Sequence, residues 1–73
     1  MLVYIKALMP SSVISAMQYN PKDATLRIVY VSGMVYDYLD VPEKIYQAMK
    51  RASSKGTYLN KHIKGYFSFK KIS

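Results

Sequence analysis

Hydrophobic and polar positions along the chain change character once. Residues 13–39 form short runs rich in β-branched and aromatic residues between turn signals, as strands do, whereas apolar positions from 41 to 63 recur three and four apart, as on one side of a helix. Residues 13–19 predict a short strand closed by Asn20-Pro21-Lys22-Asp23, in which Asn-Pro followed by Asp is turn chemistry. Residues 25–31 and 34–39 are rich in β-branched and aromatic side chains and flank Ser32-Gly33, which predicts a hairpin. A two-residue loop there pairs Val31 with Met34, Val29 with Tyr36 and Arg27 with Tyr38 on one face, and leaves Leu26, Ile28, Tyr30, Val35, Asp37 and Leu39 on the other. Both faces are largely apolar, so the pattern leaves open which of them meets the helices.

Asp40-Val41-Pro42-Glu43 predicts a helix start. Asp40 serves as N-cap, Pro42 stands in the first turn, where its missing N–H costs nothing, and Glu43 completes a capping box. Val41, Ile45, Ala48, Met49 and Ala52 form the inward stripe, with Lys44, Gln47, Arg51 and Lys55 on the solvated side. Ser53-Ser54-Lys55-Gly56 breaks this helix, and residues 57–64 predict a second one with Leu59 and Ile63 inward and Gly65 as its stop. Alternation in residues 2–6 and 66–72 is compatible with extra N- and C-terminal strands. The expected architecture is a single α+β domain over residues 1–73, a three-stranded antiparallel β-meander followed by two short helices packed on one face. A core from so short a chain is small, and the terminal strands would close it or cover a sheet edge.

Charge divides the chain differently. Residues 1–42 hold Lys6, Lys22 and Arg27 against Asp23, Asp37 and Asp40, whereas residues 43–73 hold eight Lys and Arg against Glu43 alone, so the whole net charge of +7 lies in the second part. Such an excess favours an acidic partner such as nucleic acid. With no cysteine there is no disulfide, no thiolate zinc site and no Cys nucleophile. One His and four carboxylates leave little for acid–base chemistry or a metal, so the expectation is a non-enzymatic protein with no catalytic residues, no bound metal and no cofactor. The apolar opening of residues 1–10 is interrupted by Lys6 with no basic residue ahead of it, unlike a signal peptide, and falls short of the ~20 residues of a membrane helix. The corresponding expectation is a cytoplasmic protein without membrane contact.

The candidate binding residues follow from aromatic and basic positions. Tyr36 and Tyr38 point the same way at strand spacing, as rings do that stack bases on an exposed sheet, and Arg27 opposite Tyr38 would set a cation beside them. Core packing with hydroxyls at the rim, and a plain cross-strand cation–π pair, account for the same residues. Lys44, Arg51 and Lys55 line one helical side, and Lys61 and Lys64 follow with Tyr58 and His62 interleaved, an arrangement suited to tracking phosphates while an aromatic stacks. A solvated basic face that only maintains solubility is the alternative. The run from Ser53 to Thr57 offers either an anion-binding turn at a helix N-terminus or the cap of the second helix.

Ser11-Ser12, Tyr19 and Thr25-Leu26 around a turn, Ser32-Gly33, Tyr36-Asp37-Tyr38 before Val41-Pro42, the run from Ala52 to Asn60, and Ile63-Lys64 together resemble the KTSC domain over roughly residues 8–69. The family's central Tyr-x-Tyr is carried by Tyr36 and Tyr38, while the glycine usual before the tyrosine of the first strand is Gln18 here. The resemblance implies a small domain found at the C-terminus of some lysyl-tRNA synthetases and as a stand-alone bacterial or phage protein, with RNA binding suggested by the synthetase context. Two readings follow. One is a non-catalytic module binding RNA or another single-stranded nucleic acid. The other is a protein-interaction module, such as a phage-type inhibitor masking an acidic surface of a host protein, for which the Tyr and Met content is equally suited. Both accommodate a monomer or a dimer paired through a strand edge.

Overall fold

The computed structural model describes residues 14–73. The strand expected over residues 2–6, the serines at 11 and 12, the apolar opening and Val13 lie outside the described residues. Strands β1 (Ile14–Asn20), β2 (Thr25–Tyr30) and β3 (Val35–Tyr38) run as an antiparallel meander. Helices α1 (Glu43–Arg51) and α2 (Lys55–His62) follow. The chain then returns as β4 (Phe69–Lys71), antiparallel to β3, and completes a sheet of order β1-β2-β3-β4. This is the α+β architecture expected, with the C-terminal alternation realised as an edge strand. Lys70 and Lys71 on that edge discourage further pairing.

The β1–β2 turn is held by its own sequence: Asn20 Oδ1 accepts from the Lys22 N–H at 3.0 Å, and Ala24 takes a left-handed φ of 56°. The β2–β3 turn corrects the expected register. Gly33 N–H donates to the Tyr30 carbonyl at 2.9 Å and Tyr30 N–H to the Met34 carbonyl at 2.8 Å, so the loop is three residues, Val31-Ser32-Gly33. Gly33 at φ 98° supplies the left-handed residue that such a bulged loop needs. Every partner shifts by one: Leu26 faces Tyr38, Arg27 faces Asp37, Ile28 faces Tyr36 and Val29 faces Val35. Because side chains alternate across a sheet, the slip turns Tyr36 and Tyr38 onto the face of Leu26 and Ile28 and leaves Arg27 behind on the other.

That shared face is the core. Leu26, Ile28 and Tyr38 pack with Val41, Met49, Leu59 and Ile63, all at most 2% exposed, so the helices cover the tyrosine-bearing face. Burying each large apolar side chain contributes roughly 1.5–3 kcal/mol. The inward stripe expected on α1 holds, with Val41 and Met49 fully buried and Ile45 packed against the cluster. Tyr19 fastens α1 to β1 by stacking on Tyr46 at 5.0 Å and donating to the Val41 carbonyl at 2.6 Å.

The start of α1 also differs from expectation. Pro42, in extended conformation, occupies the cap position without a side-chain cap bond, and the Ile45 N–H donates to its carbonyl at 3.0 Å. Asp40 instead turns the chain with φ 56°, a conformation Asp tolerates better than most residues. This bend brings the Val41 N–H to the Ala24 carbonyl at 2.8 Å and drops Val41 into the core. The second helix begins two residues earlier than expected, at Lys55, and the chain leaves it through Gly65 at φ 86°.

Candidate nucleic-acid interface

The second part of the chain presents its charge to solvent. Lys44, Lys50, Arg51, Lys61, Lys64, Lys70 and Lys71 are exposed and Lys55 is half-buried. Among the described residues the one ion pair is Arg27–Asp37, so none of these eight cations is neutralised by a carboxylate. Glu43, the sole acid of this part, accepts from Gln47 at 3.4 Å instead. Lys50 lies 5.3 Å from the centre of the Tyr46 ring, a cation–π contact that leaves its charge intact.

On α2 the structure brings part of the expected set together. Tyr58 and His62, one turn apart, bring their rings to 4.5 Å, and with Lys61 and Thr57 they line a shallow cavity of about 280 Å³. Lys44 and Arg51 stand exposed on α1. Lys55 reaches the Ala52 carbonyl at 3.5 Å, which ties it to the break between the helices. The serine-rich turn there is a cap: Ser54 Oγ accepts from the Thr57 N–H at 3.3 Å and donates to Thr57 Oγ1 at 3.0 Å.

Tyr36 and Tyr38 are not an exposed platform. Tyr38 is 2% exposed, and its hydroxyl shares a 3.2 Å hydrogen bond with that of Tyr30. Burial, reinforced by that bond, pushes the Tyr38 phenol well above its usual range and keeps it protonated. Tyr36 is half-buried between Tyr30, edge-on at 5.6 Å, and Phe69 at 5.2 Å. A groove of about 300 Å³ opens over this cluster between the hairpin and the end of α2, walled by Tyr30, Met34, Tyr36 and Phe69 with Lys64 at its rim. Tyr30 and Phe69 were absent from the expected set. Their signal lies in the Tyr30-to-Tyr36 spacing about a bulged loop and in the alternation of the tail.

Arg27 stands apart from the other candidates. Across the sheet from the helices, its Nε and Nη2 donate to Asp37 Oδ1 and Oδ2 at 2.7 and 3.0 Å. The pair sits in a polar row, with Gln18 opposite Arg27 and Lys70 opposite Asp37. Hydrogen bonding to Arg27 holds the Asp37 carboxyl below its usual range against the opposing effect of burial, and the charges of Arg27 and Lys70 add to it. The cation expected beside Tyr38 is thus committed to a carboxylate on the opposite face.

A small sheet with two helices on one side and a Tyr-x-Tyr turned toward them defines the class, and the comparisons with known proteins agree. The chain belongs to the KTSC domain family, which it matches over residues 10–67. It is 39% identical to a KTSC domain protein of Yersinia pestis whose crystal structure superposes with a TM-score of 0.81, covering 86% of this chain and 89% of that one. It is also 44% identical over 62 residues to a lysine–tRNA ligase of Nostoc punctiforme and 39% identical to one of another Nostoc strain. Those matches take in 85% of this chain but only 11% of either ligase. A relative of similar size, from Tsukamurella paurometabola, is 32% identical over 78% of this chain and 85% of its own length. Among the described residues no helix is long and apolar enough to cross a membrane.

Proposed function

We propose that the protein is a non-catalytic module that binds single-stranded RNA, holding the phosphates with the cations of α1 and α2 and stacking an aromatic surface at Tyr58–His62 against the strand. The observation that carries this reading is the set of unneutralised cations in residues 43–73. A chain of phosphates is the common biological polyanion that such a face neutralises, and the released counterions drive the binding. Relatives that are lysine–tRNA ligases favour RNA over DNA as the partner, and an RNA partner is consistent with a cytoplasmic location. The contacts are mainly to the backbone, so affinity is modest and carries little sequence preference.

Fluorescence anisotropy of a labelled single-stranded RNA at low salt tests the proposal. Binding that weakens steeply as salt rises is expected; no binding at low salt, or binding indifferent to salt, overturns it. A second reading, docking to an acidic protein surface, draws on exposed apolar side chains around the hairpin tip and tail, where Val31 is 64% and Tyr66 72% exposed. Capture of one stoichiometric protein after nuclease treatment would favour it.

A further inference from the structure

We propose that the aromatic groove between the β2–β3 hairpin and the end of α2 is a subsite for one unpaired base of a bound RNA strand. The proposal rests on the RNA-binding reading and extends it to a site away from the Tyr58–His62 surface. The groove, at about 300 Å³, is at the lower limit of small-ligand pockets, a size for one planar group rather than a folded oligonucleotide. Its walls are rings: Tyr36 and Tyr38 lie 5.2 and 5.8 Å from Phe69. Phe69 is 55% exposed, so the cluster ends on an aromatic surface that nothing in the described residues covers. Tyr30, whose hydroxyl is hydrogen-bonded to that of buried Tyr38, also lines the groove and offers a polar contact to a base edge.

Charge selects the occupant. No acidic residue lines the groove. Lys64 stands at its rim, and Lys71, opposite Tyr36 on β4 and exposed, flanks it from the sheet edge. Asp37, the acid nearest in sequence, is turned to the other face and paired with Arg27. A second hollow of about 460 Å³ shares Tyr30 and Lys64 with the groove and gives the neighbouring nucleotide a path toward Asn60 on α2. An aromatic slot between two cations fits a base between two phosphates, and only an unpaired base can enter it.

The test compares a labelled oligouridine hexamer with an abasic hexamer of equal length and charge, by anisotropy at low salt. The full chain is expected to bind oligouridine at least tenfold more tightly, about tenfold being the scale of one base–aromatic stack, with stacking at Tyr58–His62 adding to it. Phe69→Ala is expected to cut that preference about tenfold and leave abasic binding unchanged, while Phe69→Trp retains it in full. Circular dichroism monitors the fold; if Phe69→Ala unzips β4, Phe69→Leu keeps the edge apolar without the ring and carries the same expectation. Equal binding of the two hexamers by the unmodified chain, or a preference that loss of the ring leaves undiminished, overturns the subsite and leaves phosphate binding standing. Absence of binding to both removes the RNA-binding reading and the subsite with it.

Discussion

Replacing Tyr38 with alanine separates the observed hairpin register from the slipped one. A two-residue loop would set Tyr38 across from Arg27, on the face away from Leu26, and its truncation there would cost little. In the structure Tyr38 faces Leu26, is 2% exposed and touches the rings of Tyr36 and Phe69. A buried tyrosine removes roughly 150 Å² or more from water, which at ~25 cal/mol per Å² is about 4 kcal/mol. Aromatic-to-alanine substitutions in cores fall at about 3–5 kcal/mol. At roughly 0.05–0.15 kcal/mol per residue the whole domain has about 4–11 kcal/mol to lose, so the variant sits at the edge of folding. Urea unfolding followed by circular dichroism measures the loss, with Tyr38→Phe as the milder companion that deletes only the hydroxyl shared with Tyr30, at about 1 kcal/mol. Val31→Ala, at an exposed loop position, should stay within about 0.5 kcal/mol of the parent. A Tyr38→Ala loss as small as that of Val31→Ala would refute the register and the core built on it.

Gly33→Ala should lower the melting temperature by about 4–8 °C, equivalent to about 1 kcal/mol. An added Cβ meets no atom within 4 Å, so strain at φ 98° is the whole effect. Ser54→Ala should cost about 1 kcal/mol by removing the cap of α2, and hydrogen exchange at the Thr57 amide should accelerate, whereas Ser54→Asp should preserve protection there. Asp37→Asn should flatten the acid limb of the stability curve. The native carboxyl binds protons less readily than the unfolded one, so the Arg27 pair stabilises fully above about pH 4 and is lost as pH falls through the depressed native value. Melting temperatures from about pH 2 to 5 that fall in parallel for parent and variant would contradict it.

The elements were more legible than the way they face. Three strands, two helices and the burial of Leu59 and Ile63 follow from periodicity and from Gly65, and the charge division is plain from counting. The hairpin register was hidden because residues 28–31 are apolar on both faces, so the pattern there does not penalise a slip of one. Ser32-Gly33 serves equally as a complete two-residue turn or as the last two residues of a three-residue loop. That single residue decides whether Tyr36 and Tyr38 look outward or into the core, and whether Arg27 meets a ring or Asp37. Asp40 misled for a related reason: aspartate favours both helix caps and left-handed turns, and Pro42 had already taken the cap. Of the cations in the candidate interface, Lys44, Arg51 and Lys61 stand exposed on the helices as their spacing placed them, whereas Lys55 opens α2 half-buried, Lys64 lies past its end and Arg27 is on the other face of the sheet. The aromatic groove was illegible because it joins Tyr30, Tyr36 and Phe69 from three strands with Lys64 beyond α2, and no spacing along the chain records that meeting.

The electrostatic role of the helical half is tested most directly by the salt dependence of RNA binding in two variants. For a single strand, the slope of log affinity against log salt changes by roughly 0.7 for each phosphate contact removed. Arg51→Gln with Lys61→Gln should therefore make the slope shallower by about 1.4 relative to the parent. Lys22→Gln, in the turn between β1 and β2, should leave it unchanged. An unaltered slope in the helix variant, or an equal change in both variants, would contradict the assignment of the binding face to α1 and α2.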